Sequence, residues 1–144
     1  MHCFAYERRI RRHETDATQL LQSANYFRLM EECECAFLRS LDLTFFIPED
    51  DLIFPRVNVS CNVLHPLRSG DLVTIELIIK RLGVSSMTFS YLFLNRQEVH
   101  VADGEISIVS CVHNSDTEQL KPVPLRREMK ERLSHYSMKE DVKC

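Results

Sequence analysis

The chain has 144 residues, 44% of them hydrophobic and 27% charged, enough for one domain with a core that needs neither disulfide nor metal. Its 18 basic and 21 acidic residues leave a formal net charge of −3, which excludes a broad nucleic-acid surface. No apolar run approaches the ~20 residues of a membrane span, Met1–Arg9 lacks the apolar centre of a signal peptide, and Gly70, Gly83 and Gly104 stand too far apart for a nucleotide-binding glycine loop. These features read as a cytoplasmic protein whose six cysteines are reduced thiols.

In chain order, Phe4, Tyr6 and Ile10 alternate and predict a first strand over 4–12, with Arg8 breaking the apolar face. Residues 13–22 show no period and read as a loop, and Ser23 reads as a helix N-cap. A helix over 24–41 follows from Tyr26, Phe27, Met30, Cys33, Phe37, Leu38 and Leu41 at helical spacing. Pro48 and Glu49-Asp50-Asp51 mark a connector. Val57, Val59, Cys61 and Val63 then alternate, Ser69-Gly70-Asp71 turns, and 72–80 is a strand covered on much of both faces. Met87, Phe89, Tyr91 and Phe93 alternate up to a turn at 95–98. A long strand over 99–113 carries a bulge at Ala102-Asp103-Gly104, and a short amphipathic helix starts at Leu125. Strand, long helix and four successive strands make an α+β fold, a curved antiparallel sheet of about five strands wrapped around one helix. One domain spans 1–134, and 135–144 form a charged tail. The uncovered sheet edges call for a second copy, giving a homodimer or homotetramer.

The chemistry concentrates before the long helix. A helix start presents free amide N–H groups and a partial positive charge, which stabilise an oxyanion on a carbonyl. Asp16, seven residues before Ser23, is a carboxylate placed to attack or to activate water, although spacing alone favours a turn residue. Thr15-Asp16-Ala17, then Ser23-Ala24-Asn25-Tyr26-Phe27-Arg28 with Glu31 one turn on, resembles the signature of hot-dog-fold acyl-CoA thioesterases of the 4-hydroxybenzoyl-CoA type. Four later pieces fit in the same order: His65-Pro66-Leu67-Arg68-Ser69-Gly70-Asp71, Gly83-Val84-Ser85-Ser86-Met87-Thr88-Phe89, Val101-Ala102-Asp103-Gly104, and the prolines before Arg126.

The resemblance implies a hot-dog fold and thioester hydrolysis with Asp16 as the catalytic carboxylate. It also implies that the Ser23 backbone N–H polarises the thioester carbonyl and that Asn25 holds the loop. Substrate contacts fall to Tyr26, Arg81 and Ser86. No cofactor or metal is implied, since coenzyme A is part of the substrate. The chain departs from the pattern at Thr18-Gln19, where Gly-Gly is usual, and at Ser23, where many members carry His. The competing readings are a thioesterase acting on an acyl-carrier protein to release a polyketide or fatty acyl chain, and a non-catalytic acyl-binding module. Dehydration of hydroxyacyl thioesters ranks low, because the catalytic His and Pro-Gly turn are missing.

Other features have plainer readings. Arg8, Arg9, Arg11 and Arg12 read as a solvated strand face ahead of a contact for coenzyme A phosphates, and Arg68 is a weaker candidate of the same kind. Glu31 reads as structural. Cys33 and Cys35 diverge on a helix and read as packing rather than a metal pair. Cys61 and Cys111 read as buried, and Cys144 as a tail thiol. Phe27, Met30, Phe45 and Phe46 are candidates for lining an acyl pocket.

Overall fold

A computed structural model describes residues 2–138. Strand β1 (Phe4–Arg9) leads through a 3-10 turn (Arg12–Glu14) into helix α1 (Ser23–Ser40). A second 3-10 turn (Pro48–Asp50) precedes β2 (Leu52–Ile53), β3 (Arg56–Val63), β4 (Leu72–Leu82), β5 (Ser86–Leu94), β6 (His100–Val109), β7 (Cys111–Asn114), β8 (Gln119–Pro122) and helix α2 (Arg127–Ser134). The main sheet is antiparallel in the order β1-β4-β5-β6-β3, and β2, β7 and β8 form a smaller sheet.

The predicted helix packs as its stripe requires. Tyr26, Leu29, Met30, Cys33, Phe37 and Leu38 are buried against the inward residues of β4 and β5, which alternate strictly: Val73, Ile75, Leu77 and Ile79, then Met87, Phe89, Tyr91 and Phe93. Phe37 meets Phe89 edge-on at 6.0 Å. Gly104 lets the helix come this close, since a Cβ there would stand 2.5 Å from Met30 Sδ and 2.7 Å from the Ser60 carbonyl oxygen. The sheet is therefore the five-stranded, single-helix arrangement expected.

Several details differ. Strand β1 ends at Arg9. Ser23 is the first helical residue, while Gln22 is the N-cap and makes no side-chain cap bond. The second face of β4 is only half-buried. The predicted 99–113 strand breaks at Ser110, where the chain leaves one sheet for the other. Its register shift lies between the Phe93–Ala102 and Leu94–His100 pairs, just before the expected bulge. Strands β2 and β8 had no readable signal, one having two residues and the other having four that are exposed throughout. Strand β3 forms as expected, but only Cys61 in it is even half-buried, so its valines face outward. At the chain end, Leu125, Met129 and Leu133 are buried. Ile79 then pairs with Ser137, and Tyr136 packs edge-on against Phe37 at 4.9 Å. The remaining tail, with Cys144, lies outside the described residues.

Candidate functional site

The loop between β1 and α1 is a clamped turn with Asp16 near its tip. Its two ends meet at Glu14, whose carbonyl accepts the Gln22 N–H at 3.1 Å and the Asn25 side-chain amide at 2.7 Å. Thr15 pairs with Leu21, and the Asp16 N–H donates to the Leu20 carbonyl at 2.8 Å. The same loop is fastened to the 67–69 segment, because Leu21 N–H reaches the Leu67 carbonyl at 2.8 Å and Ser69 N–H reaches that of Gln19 at 3.1 Å. Asp16 is thereby held beside the first turn of α1, where the Ser23 N–H has no acceptor within the helix.

Asp16 uses one carboxylate oxygen to shape the turn and leaves the other free. Oδ1 accepts from the Thr18 hydroxyl at 2.5 Å, the Thr18 N–H at 2.8 Å and the Leu20 N–H at 3.2 Å. The Thr18 hydroxyl foremost, then the two amides, hold the carboxyl below its ordinary range. Oδ2 has no hydrogen-bond partner among the described residues. Gln19 sits at φ +66°, a left-handed conformation that suits glycine. The Thr18-Gln19 departure thus places Gln19 in a conformation that suits glycine and adds a side-chain grip on Asp16.

The loop has an anchor that the sequence reading missed. Arg8 binds Glu14 through two contacts, 2.7 Å to Oε1 and 2.5 Å to Oε2, and also reaches Glu32 at 2.9 Å. The Arg8 and Glu14 side chains are 9% and 6% exposed. Glu14 Oε1 accepts the Arg11 N–H as well, at 2.8 Å, and the guanidinium beside it holds its carboxyl low. Arg8 is therefore not part of a solvated basic face. The available signal was its position on the inner face of β1, between Tyr6 and Ile10. Arg9 donates to the Gly70 carbonyl at 2.6 Å, while Arg11 and Arg12 are exposed.

The remaining candidates fall in different places. Asn25 ties the helix to the loop through Glu14. Tyr26 is 3% exposed, with its ring on Phe93 and its hydroxyl accepting the Leu67 N–H at 3.2 Å, so both its polar and apolar parts are used within the core. Arg81 and Ser86 flank the Gly83 turn, which closes with Gly83 N–H to the Ser86 carbonyl at 2.8 Å. The Asp16 loop lies at the opposite end of β4. The nine steps from Leu72 to Arg81 span about 30 Å at 3.3 Å each, so one protomer does not bring these two groups together. Glu31 is paired with Arg56 at 3.3 Å. Met30 belongs to the core, Phe27 is half-buried, and Phe45 and Phe46 line a cavity beside the second half of α1. Cys33 is buried and Cys35 exposed on diverging faces, whereas Cys61 is only half-buried. Among the described residues, no group of three His, Cys, Asp or Glu side chains is arranged to hold a metal, and no helix is long and apolar enough to cross a membrane.

Residues 22–102 match the family described as the Thioesterase superfamily. The chain belongs to this superfamily. The matched stretch begins just after the Asp16 turn and contains the helix start, β3, β4 and β5. A relative in Aquifex aeolicus (strain VF5), whose name gives it as a proposed esterase, is 33% identical over 100 residues, covering 69% of this chain and 77% of that protein. A 1,4-dihydroxy-2-naphthoyl-CoA hydrolase of Nostoc punctiforme is 31% identical over 90 residues, covering 61% of each protein. Among solved structures, a 1,4-dihydroxy-2-naphthoyl-CoA thioesterase from Synechocystis superposes with a TM-score of 0.83 over 92% of this chain and 96% of that one. At 19% identity that likeness is one of fold, and it places the superfamily's hot-dog sheet and helix in this chain.

Proposed function

We propose that this protein hydrolyses an acyl-CoA thioester to the free acid and coenzyme A, in the manner of 4-hydroxybenzoyl-CoA-type enzymes. The observation that carries this reading is the Asp16 carboxylate in a turn fastened to the start of α1 through the Glu14 carbonyl, with Oδ1 held by Thr18 and Leu20 and Oδ2 unpaired among the described residues. The Ser23 N–H polarises the thioester carbonyl and stabilises the oxyanion. Oδ2 then acts in one of two ways. As a nucleophile it adds to the carbonyl carbon, coenzyme A departs as a thiolate, and water cleaves the acyl anhydride. As a base it takes a proton from water while the hydroxide adds. The thiolate is a good leaving group, so neither route demands a strong general acid. The relatives named as naphthoyl-CoA hydrolases support the substrate class.

The active unit in this reading is a cytoplasmic homodimer formed through β3. That strand lies at the sheet edge with an unpaired row of backbone groups, and Val57, Val59 and Val63 are exposed on it. An acyl-carrier protein is the alternative donor, favoured by the exposed Arg11 and Arg12 near the Asp16 turn.

The test is hydrolysis of a panel of short, long and aromatic acyl-CoAs, followed by an optical signal that uses no thiol reagent. Asp16→Asn is expected to lower kcat by about 10²–10⁴-fold with little change in KM. Turnover that survives in Asp16→Asn rejects the mechanism. Turnover only on acyl-carrier-protein thioesters moves the substrate to the carrier.

A further inference from the structure

Glu14 is 4% exposed and closes the 3-10 turn two residues ahead of Asp16. Its side chain and its main chain hold different parts of the fold. The carboxylate takes Arg8 on both oxygens, at 2.7 and 2.5 Å, and the Arg11 N–H on Oε1 at 2.8 Å. The carbonyl takes the Gln22 N–H at 3.1 Å and the Asn25 side-chain amide at 2.7 Å, from the N-cap and the third residue of α1. The Asp16 turn and the start of α1 are therefore joined through one residue.

Arg8 ties that residue to the rest of the molecule. From the inner face of β1 its guanidinium grips two carboxylates at once. Nη1 and Nη2 donate to Glu14, while Nε and Nη2 reach Glu32, on the third turn of α1, at 2.9 and 3.2 Å. The Tyr6 hydroxyl adds a bond to Glu32 at 3.3 Å. A guanidinium has enough donors in one rigid plane for this double grip, whereas a lysine is a point charge. Its bonds to Glu14 hold that carboxyl below the ordinary range, so the pair stays charged through neutral pH.

Stability alone is a poor reason for such a clamp. Burying two charges costs about what their attraction returns, and apolar residues of similar volume often do as well or better. What paired, parallel bonds supply is direction as well as distance. A reaction between a carboxylate and a polarised carbonyl depends on that geometry, since misplacement by about 1 Å costs about 10²-fold in rate. The other loop fastenings, Thr15 to Leu21 and Leu21 to Leu67, shape the loop through backbone groups and do not reach the middle of α1.

We infer that Glu14 is a positioning residue for the hydrolysis, with Arg8 as its anchor: gripped by the guanidinium, it sets where the Asp16 turn stands relative to the start of α1. This rests on the thioesterase reading and deepens it.

The experiment measures kcat, KM and urea unfolding on an acyl thioester that wild type hydrolyses. The variants are Arg8→Met combined with Glu14→Leu, Glu14→Gln, Arg8→Lys, and Ile108→Val as a core control on β6. The double variant removes the pair without leaving either charge alone, and Glu32 keeps the Tyr6 hydroxyl and partial exposure. It is expected to fold with the wild-type circular dichroism spectrum, while kcat falls about 10–10²-fold and KM stays within about twofold. Ile108→Val is expected to keep the wild-type kcat whatever its unfolding midpoint. A double variant with wild-type kcat, a loss confined to KM, or a fall in kcat that Ile108→Val shares overturns the proposal. Where the double variant does not fold, Glu14→Gln and Arg8→Lys decide. Lower kcat with unchanged KM in both supports the clamp, and wild-type kcat in either rejects it. Where wild type hydrolyses no thioester, the thioesterase reading has failed by itself. The hold on Asp16 is then read from the titration of its carboxyl carbon by NMR. The midpoint, low in wild type, is expected to rise in the double variant as the turn loosens, and an unmoved midpoint rejects the assignment.

Discussion

Thr18 makes the strongest contribution to holding the Asp16 carboxyl below its ordinary range. Its hydroxyl donates to Oδ1 at 2.5 Å and is the main reason the carboxyl stays below its ordinary range. In the proposed mechanism a lowered value keeps the Asp16 carboxylate ionised into more acid solution, so the acid limb of kcat/KM against pH is expected to lie low in wild type. Thr18→Val removes the hydroxyl and leaves the two amide bonds. The acid limb is then expected to move to higher pH, with the plateau near neutral pH little changed. An acid limb that stays in place in Thr18→Val shows that the titrating group is not Asp16. The assignment of Asp16 to catalysis rests on the order of motifs around it, since a lone Asp before a helix is ordinarily a turn residue. Its turn geometry depends on Thr18 and on the backbone of Leu20, bonds that spacing does not encode.

At the level of elements, the clamp between β1 and α1 decides whether the loop holds its shape. Arg8 and Glu14 form a nearly enclosed pair, and Glu14 also anchors Asn25 and Gln22 through its carbonyl. Removing one partner strands the other. Arg8→Met is expected to destabilise the fold by about 3 kcal/mol, read from urea unfolding at neutral pH. Because Arg8 holds the Glu14 carboxyl low, this stabilisation is fully present above the ordinary carboxylate value and disappears as pH falls through the depressed one. The gap between wild type and Arg8→Met is therefore expected to close in acid. A gap that is independent of pH would mean that lost side-chain packing, not the ion pair, explains the effect. The long elements were readable because α1, β4 and β5 each place several large apolar residues at one period. Glu14 and the small sheet were not, because a two-residue strand has no period and a buried carboxylate is paired only after folding.

For the whole molecule, β3 decides what the active unit is. Its alternating valines predict a half-buried strand, yet within one protomer Val57, Val59 and Val63 stay exposed, although α1 reaches the strand's Arg56 end through Glu31 and Glu34. Val59 is 42% exposed. The sequence pattern therefore records an apolar face that one chain leaves open, and in the dimer proposed above a second copy would cover both the valines and the unpaired backbone row. Val59→Lys adds a charge in the middle of that edge without touching the core. The variant is expected to sediment as a monomer with the wild-type circular dichroism spectrum and thermal midpoint. It is also expected to lose acyl-CoA hydrolysis, because the active unit proposed above is the β3 dimer. A folded monomer that retains full kcat/KM would confine catalysis to a single chain. A dimer that persists would place the interface on another surface, and the outward valines would then need a different occupant.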